Sequence, residues 1–560
     1  MRSTFRVSLA LLLASLVAAP AHSADPSSSP APPAPPTDGA QSGSPSPPER
    51  ASTLPPTGKI PLSLQRAIEL GLRKNLAVEI ARFDPAVARE KVGEAWGAYD
   101  PLFDGDFGYS STETPSSNPL VGGQGLKPVN NKATDGNLGL SGLIPNWGAT
   151  YNIGYAGQRL DTNQNFTAYD PQLTSSLIAS LDVPLLRNFL YDAADTQLEV
   201  SRLGVDTADE SFRTALMDVV QAVEVAYWQV IASFEQLRVA DKSLETATKL
   251  LDQVKTQYEV GVVSKVDVVE AEAGVYERQF DQIVAKTNYR QAQDTLIDLI
   301  YGQEFRAGDQ VEIDPTDQPE GDILYDTDLN VIMAKANAKR PELAAAQKNV
   351  EIQNVNLTFA KNQQLPKFDV VGTYGYAGLA GDPRPVQNFQ PPPKFVFAPN
   401  QGRNFGNTND DYFTRDGALQ WSAKGVVSIP ILNETARKKV SQGELELRKA
   451  KTDTVRVEQR IVLEVRQAVR NLEAAKAAIQ AAEGRRRSAA EQLRAEEIRQ
   501  EQGESTPFDV LLRERDLVQA EGSKIEAQRV YRTSATNLDR AQGTILESHR
   551  IEVEKQRQLR

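Results

Sequence analysis

Two aspartates occupy matching positions in two short motifs, and the residue spacing within each motif indicates which hydrogen bonds its side chains can form. The motifs are Gly261, Val262, Val263 and Ser264 with Asp267, and Gly503, Glu504, Ser505 and Thr506 with Asp509. A hydroxyl side chain accepts a hydrogen bond from a free amide at the start of a helix, and a carboxylate three residues later accepts one in return. Each motif therefore predicts the start of a helix.

The glycine of each motif predicts the end of the helix before it. Gly261 and Gly503 each follow a long segment in which apolar residues recur three and four positions apart. Glycine readily adopts the left-handed conformation that terminates helices. Pro507 adds a start signal to the second motif, because its missing amide costs nothing at the first helical position. Each motif is thus predicted to be a tight helix–turn–helix tip.

Other residues that commonly carry chemistry are scarce. The chain of 560 residues contains no cysteine and only two histidines, His22 and His549. Thiolate catalysis and cysteine-based metal sites are excluded, and histidine-based sites have almost no residues to use. No acid, base or nucleophile group stands apart from the charged helix surfaces. The sequence therefore predicts a protein that is not an enzyme and that binds no metal or cofactor.

The two motifs belong to an internal duplication. Around and after each motif the chain repeats itself at an offset of 242 residues (503 − 261), and upstream it does so at an offset of 265 (366 − 101). The larger upstream offset places a longer insertion in the first copy. Matching pairs are Val268 with Val510, Glu272 with Glu514, Tyr289 with Tyr531, Pro101 with Pro366 and Tyr109 with Tyr374.

Helix lengths predict the shape of each copy. The segment before each motif has helical periodicity over about 65 residues, which gives a helix of roughly 100 Å. The returning helices, residues 265–300 and 507–542, are shorter, as are the opening helices, residues 63–98 and 328–363. We expect a rod in which two long helices lie beside two composite ones, each made of one returning and one opening helix.

Strand-like segments lie between the opening and the long helix of each copy. They alternate apolar and polar residues and are separated by loops, of which residues 381–417 are predicted to form an exposed loop. We interpret the second and third segments as an extension of the first hairpin, so that each copy supplies one hairpin. The segments are Phe103–Ser110, Asn137–Ile144, Thr150–Tyr155, Leu173–Val183, Phe368–Tyr376 and Ala418–Ile429.

The N-terminal residues indicate export from the cytoplasm. Residues 1–24 have the basic start, the apolar run and the small residues of a secretory signal peptide. Residues 25–61, rich in proline, serine and alanine, are predicted to be a disordered tether. No apolar run of about 18 residues follows, so no membrane-spanning helix is predicted.

The rest of the chain divides at the boundaries of the duplication. The net charge of −12 argues against nucleic acid as a partner. The predicted parts are the first structural repeat at residues 62–325, the second structural repeat at residues 326–551 and a polar C-terminal tail at residues 552–560.

Two copies of G-x-x-[S/T]-x-x-D-V at helical tips, each preceded by a strand hairpin and both behind a signal peptide, resemble the TolC-type outer membrane efflux proteins. The resemblance covers residues 62–551. It implies an internally duplicated α+β membrane protein, in which a long coiled-coil-like α-helical barrel continues into a β-barrel shared by a homotrimer. One hairpin per copy gives about four membrane strands per chain, too few to close a barrel alone. The second and third strand-like segments are then extracellular, and six membrane strands per chain is the alternative.

The resemblance also implies a function and partners. It predicts a passive exit duct in the outer membrane of a Gram-negative-type bacterium, with a large periplasmic part that meets a periplasmic adaptor protein and an inner-membrane pump. Such a duct contacts outer membrane lipid and serves a tripartite efflux or type I secretion system. Drugs, metals and polypeptides all remain open as substrates. The alternative is a non-conducting coiled-coil protein with a structural or adhesive role.

Carried onto this chain, the resemblance assigns roles to the two motifs. Asp267 and Asp509 are expected at the periplasmic gate, where inward-facing acidic residues narrow the channel, and helix capping alone is the alternative for both. The tip turns, residues 261–264 and 503–506, are expected to dock the adaptor. Gln500, Ser505 and Leu512 stand where the best-known pattern has a tyrosine, an arginine and a second aspartate. A lock on the closed tip is therefore weaker here or built from other residues.

Overall fold

The computed structural model describes residues 58–116, 127–164, 166–302, 311–318, 328–388, 394–414 and 418–551. All of them belong to one compact unit. The predicted signal peptide, nearly all of the tether and the predicted C-terminal tail lie outside the described residues.

The first half of the described chain runs from a short strand through a pair of helices, four strands and two further helices to a second short strand. Its elements are β1 (Gly58–Leu62), α1 (Leu64–Lys74), α2 (Leu76–Trp96), β2 (Leu102–Thr114), β3 (Val129–Ile144), β4 (Ala149–Thr162), β5 (Tyr169–Pro184), α3 (Ala193–Glu259), α4 (Lys265–Tyr301) and β6 (Val311–Pro315).

The second half repeats this plan with a different insertion. Its elements are α5 (Leu329–Lys339), α6 (Pro341–Gln363), β7 (Lys367–Pro383), β8 (Pro385–Asn388), β9 (Lys394–Phe397), α7 (Phe405–Thr414), β10 (Ala418–Ser428), α8 (Glu434–Glu501), α9 (Pro507–Gln542) and α10 (Ile545–Ser548).

The long helices and the returning helices form where the sequence predicts them. The helices α3 and α8 contain 67 and 68 residues, and α4 and α9 begin at Lys265 and Pro507. The opening helices differ from the prediction, because each is broken in two. Asn75 is extended and its side chain accepts a hydrogen bond from the amide of Ala77, so that it caps α2. Arg340 is extended because it precedes Pro341.

The helices form a layer four columns wide. The helices α2 and α4 pack against one side of α3, and α6 and α9 pack against its other side. The long helix α8 lies beyond α6 and α9. The predicted arrangement of two long and two composite helices is therefore confirmed.

The core of the layer is centred on the middle of α3. Tyr227 is fully buried there, and its hydroxyl lies 2.6 Å from Asp317 Oδ2 and 2.9 Å from the carbonyl oxygen of Leu62. These contacts tie α3 to the two-stranded parallel sheet of β1 and β6. Among the described helices, α3 alone is long and apolar enough to cross a membrane by composition, but 61% of its most apolar window is buried inside the structure. Its apolar residues thus belong to the packed layer.

A single sheet of six strands in the order β10-β7-β5-β4-β3-β2 continues from the helices, and every neighbouring pair in it is antiparallel. All six predicted segments are strands. The interpretation of the second and third as an extension of the first hairpin is wrong. The strands β3 and β4 lie between β2 and β5, and pair with them along almost their whole length. The turn at residues 145–148 reverses the chain at the helical end of the sheet, so this hairpin runs the full height of its neighbours.

The segment 381–417 is not simply an exposed loop. Its described part contains the hairpin of β8 and β9, and the helix α7 packs against β7 and β5. Thr408 of α7 is fully buried, and the hydroxyl of Tyr412 lies 2.5 Å from the Ser175 hydroxyl oxygen. A side chain at Gly378 would collide with the backbone of Thr408, so the absence of a side chain at Gly378 permits the contact.

Candidate functional site

The first tip has the geometry that its sequence predicts. Gly261 has a φ of +78°, and the Val262 amide donates to the carbonyl oxygen of Gln257 at 2.9 Å. The amide of Ser264 donates to Asp267 Oδ2 at 2.7 Å, and the amide of Asp267 donates to the Ser264 hydroxyl oxygen at 3.4 Å. These reciprocal bonds satisfy amides that a helix start leaves without intrahelical partners.

The second tip reproduces this geometry with different side chains. Gly503 has a φ of +79°, and the amide of Glu504 donates to the carbonyl oxygen of Arg499 at 2.9 Å. The amide of Thr506 donates to Asp509 Oδ2 at 3.3 Å, and the amide of Asp509 donates to Thr506 Oγ1 at the same distance. The Thr506 hydroxyl lies a further 2.7 Å from Asp509 Oδ2. Both predicted tips and both predicted capping boxes are therefore confirmed.

The capping bonds also set the charge state of the two aspartates. The hydrogen bonds from Ser264 lower the pKa of Asp267. Hydrogen bonds from Thr506 lower the pKa of Asp509, and the nearby cations Arg513 and Arg499 act in the same direction. Both carboxylates are thus charged at neutral pH.

Apolar residues surround the first tip. Val263 and Val268 pack against a small core formed by Leu250, Leu251, Val254 and Ala271, and Leu511 of the second tip joins the same core. Val262 points away from it and is 73% exposed. The structure therefore separates two residues of the predicted docking turn, since Val263 supports the fold and Val262 is free to meet a partner.

Charged residues surround the second tip. The Ser505 hydroxyl lies 2.5 Å from Glu496 Oε1, and Glu496 also lies 3.9 Å from the guanidinium groups of Arg499 and Arg513. The sequence reasoning identified Ser505 but missed Glu496 and Arg513. These two residues lie on the helices before and after the turn, so their ion pair closes the base of the tip.

A buried polar cluster behind the tips joins the two copies. The Ser243 hydroxyl donates to Glu514 Oε1 at 3.2 Å, and Arg278 forms an ion pair with Asp281 at 3.4 Å. Arg278 and Glu514 are each only 5% exposed. Burial raises the pKa of Glu514, although Arg278 and Ser243 oppose the rise. Glu514 matches Glu272 in the internal repeat, but Glu272 is exposed, so the match does not indicate a buried cluster.

One face of the sheet is apolar across all six strands. Strand pairing places directly opposed residues on the same face. A row that crosses every strand contains only apolar and aromatic residues, many of them exposed, and α7 covers this face at the end far from the long helices. The row is Phe103, Leu140, Ile153, Ala179, Tyr374 and Trp421.

The opposite face is polar. The adjacent row contains hydroxyl and amide side chains on five consecutive strands, and the hydroxyl oxygens of Thr373 and Ser422 lie 2.7 Å apart within it. A sheet that is apolar on one face and polar on the other over its whole width is typical of a membrane β-barrel with a watery interior. The row is Ser141, Asn152, Ser180, Thr373 and Ser422.

More than half of this sequence matches the model of a known protein family. The sequence model of the outer membrane efflux proteins matches residues 137–300 and 332–544, which together make up more than half of the chain. The chain belongs to the outer membrane efflux protein family. The first matched segment begins within β3, so α1, α2 and β2 lie outside it.

Individual members of the efflux protein family agree with this assignment. Outer membrane protein TolC of Vibrio cholerae is 22% identical over 224 residues, which cover 40% of this chain and 50% of that protein. This chain thus spans about half the length of the curated relative that it matches.

Solved structures extend the likeness to the fold of nearly the whole chain. The CmeC outer membrane channel of Campylobacter jejuni is 15% identical with a TM-score of 0.59, and the alignment covers 86% of each chain. A membrane protein from Pseudomonas aeruginosa is 16% identical with a TM-score of 0.60, over 86% of this chain and 90% of that one. At these identities the likeness shows the fold of the efflux protein family and nothing finer.

Proposed function

We propose that this protein is the exit duct of a tripartite efflux or type I secretion system in the outer membrane of a Gram-negative-type bacterium. The observation that carries the proposal is the sheet, which is apolar on one face and polar on the other and which continues a layer of long helices. A sheet of this kind exposes its apolar face to lipid and its polar face to a passage. The helical layer extends the passage into the periplasm.

The duct is a homotrimer, because one chain supplies only part of a wall. Membrane sheets must close, since backbone groups at a free edge are costly in lipid. The outer columns of the helical layer also expose apolar side chains suited to lateral association. On α2 these include Ile80, Phe83 and Val87, and on α8 they include Leu445, Val455 and Leu463.

The tips are the docking sites for a periplasmic adaptor protein that connects the duct to an inner-membrane pump. Residues 261–264 and 503–506 form tight turns at the ends of long helices, and the exposed Val262 supports docking at the first tip. Val263 supports docking only indirectly, because it packs into the core behind the turn.

The second tip also carries the gate. Three copies of Asp509 around a pore axis would favour cations and would bind multivalent cations that block the pore. Asp267 has the lesser role of holding the closed tip. The ion pair of Glu496 with Arg513 takes the place of the lock residues that differ at positions 500, 505 and 512.

Reconstitution of the purified protein in planar bilayers tests this function. A duct gives discrete current steps, whereas a structural or adhesive rod with the same helices gives none. Light scattering in mild detergent adds the mass of the assembly, and a monomer would contradict the shared wall.

A further inference from the structure

We propose that all six strands of the sheet cross the membrane, and that β2 of one chain pairs with β10 of the next chain in the trimer. A trimer then closes a barrel of eighteen strands (three copies of six) instead of twelve. The inference rests on the proposed function for the membrane location of the sheet. It deepens that function by defining the width of the passage and the surface through which copies join.

The inserted hairpin of β3 and β4 has the side-chain pattern of a membrane strand pair. On the apolar face it contributes Leu138 and Leu140 from β3, and Tyr151 and Ile153 from β4. On the polar face it contributes Asn137, Ser141, Asn152 and Gln158. A hairpin outside the membrane has no need for a continuous apolar face in line with that of its neighbours. The pattern therefore places both strands at the same depth as β2 and β5.

The turn between β3 and β4 is fixed at the junction of the sheet and the helices. Gly148 has a φ of +63°, and a side chain there would collide with the carbonyl oxygen of Asn188 and lie 3.3 Å from Asp192 Oδ2. Asp192 is the residue that caps α3. Because the turn sits against the start of the long helix, the hairpin begins where the other membrane strands begin.

The two edges of the sheet have complementary charges. Among the described residues no strand pairs with the outer side of β2 or of β10. The polar face of β2 carries Asp104 and Asp106, and the polar face of β10 carries Lys424. If Ser428 and Leu102, which both end their strands on the helical side, are set opposite each other, Lys424 falls opposite Asp106 and diagonal to Asp104. The partner that fits each edge is therefore a second copy of this chain.

The widths of the two layers agree with this assembly. Six strands spaced about 4.8 Å apart and tilted by about 40° span about 38 Å of a barrel wall. Four helix columns spaced about 8–10 Å apart span about 32–40 Å. A six-stranded sheet thus continues the helical layer without narrowing, and the eighteen-stranded barrel has a backbone diameter of about 36 Å.

Disulfide trapping tests the joint between copies, and the absence of cysteine from the chain leaves no competing thiol. The test pairs are Asp106→Cys with Lys424→Cys and, for a register shifted by two residues, Asp104→Cys with Lys424→Cys. Oxidation of the full-length protein in outer membrane vesicles should yield a covalent trimer that reductant dissolves.

The matched control is Asp106→Cys with Ala418→Cys, in which the second position lies about 20 Å further along β10. It should give about tenfold less trimer, because disulfides do not bridge Cα atoms more than about 7 Å apart. If neither test pair exceeds this control, the joint between β2 and β10 is refuted.

Labelling of β3 tests its depth independently. With Ser141→Cys, which faces the passage, a water-soluble maleimide should react in intact vesicles. With Leu140→Cys, which faces lipid, it should react about tenfold less until detergent is added. Equal and rapid labelling of both positions would place the hairpin outside the membrane and would refute the six-stranded wall.

The outcomes separate this inference from the proposed function. A channel that conducts but gives neither cross-link nor the labelling contrast refutes the eighteen-stranded barrel and leaves the duct intact. A cross-linked trimer with the labelling contrast but without conductance supports the barrel and refutes the duct.

Discussion

The two tips have the same backbone and different surroundings. Gly261 and Gly503 differ by one degree in φ, and Ser264 and Thr506 start the next helix with the same reciprocal bonds. Around this shared frame the first tip is apolar, whereas the second holds Glu496 between two arginines. The turn is thus a scaffold that both structural repeats share, and the residues around it make the two tips different.

The largest expected effect on stability comes from the buried polar cluster where the two structural repeats meet behind the tips. Arg278→Met removes the buried cation near Glu514, so the Glu514 carboxyl group loses the positive charge that stabilises its ionised form. We expect a loss of about 1–3 kcal/mol in the free energy of unfolding. The fall in the thermal midpoint of the helical circular dichroism signal measures it.

The control for this change is Arg290→Met, which makes the same substitution at an exposed position of the same helix. It should alter the free energy of unfolding by no more than about 0.5 kcal/mol. Equal effects of the two substitutions would mean that the buried cluster does not join the copies.

Replacing either tip glycine with valine should lower the free energy of unfolding by the same amount. Gly261→Val and Gly503→Val each force a β-branched residue into the left-handed region, at a cost of about 1–2 kcal/mol. No atom outside the adjoining residues lies within 4 Å of a Cβ placed at either position, so the cost comes from the backbone conformation. Asparagine at each site should cost clearly less. Unequal losses, read from thermal midpoints, would break the claim of a common scaffold.

Local signals made the helical part of this fold predictable. The ends of α3 and α8 and the starts of α4 and α9 depend on a glycine, a hydroxyl residue and an aspartate within seven positions, and hydrogen bonds within the same turn fix the result. The breaks at Asn75 and Arg340 were missed because helical periodicity continues through them, although Pro341 signals the second break.

Long-range pairing made the sheet harder to predict. Period-two patterning identified all six strands but contains no information on which strand lies beside which. The position of β3 and β4 depends on their pairing with β2 and β5. The cluster of Ser243, Arg278 and Glu514 escaped prediction for the same reason, because its members lie on three helices.

Docking should depend on the apolar tip in a way that folding does not. Val262→Asp places a charge on a side chain that is 73% exposed, so the free energy of unfolding should change by no more than about 0.5 kcal/mol. Cross-linking to the adaptor in cells should fall severalfold. Glu504→Gln, at the matching position of the charged tip, serves as the comparison. An unchanged cross-linking yield for Val262→Asp would exclude docking at this residue.

Asp509→Asn should change ion selectivity and leave the fold intact. Asparagine still accepts a hydrogen bond from an amide, so most of the capping remains. Bilayer recordings should show lower cation selectivity and weaker block by multivalent cations. Asp267→Asn, the same change in the other tip, should change both less. If Asp509→Asn behaves like the unaltered protein in both respects, Asp509 is a cap and the constriction lies elsewhere.

The smallest expected effect concerns pH. Because capping bonds lower the pKa of Asp267 and Asp509, both carboxylates stay charged well below neutral pH. Their contribution to stability is present above the unfolded pKa of about 3.9 and is lost as the pH falls through the lower folded value. For Asp267, which is not part of the ring of Asp509 carboxylates, this contribution should therefore be constant between about pH 8 and 5 and fall only below about pH 4, as read from thermal midpoints. A loss of stability centred near pH 6 would show that a group other than Asp267 is responsible.

The most direct test of the duct is single-channel recording with the protein inserted from one side of a planar bilayer. The helical part then remains on the side of addition, and the sheet opens to the other side. We predict discrete current steps. The steps should become smaller when a neutral polymer is added on the sheet side and should keep their size when the same polymer is added on the tip side. If the protein inserts into the membrane and no discrete current step appears, the proposed duct is contradicted.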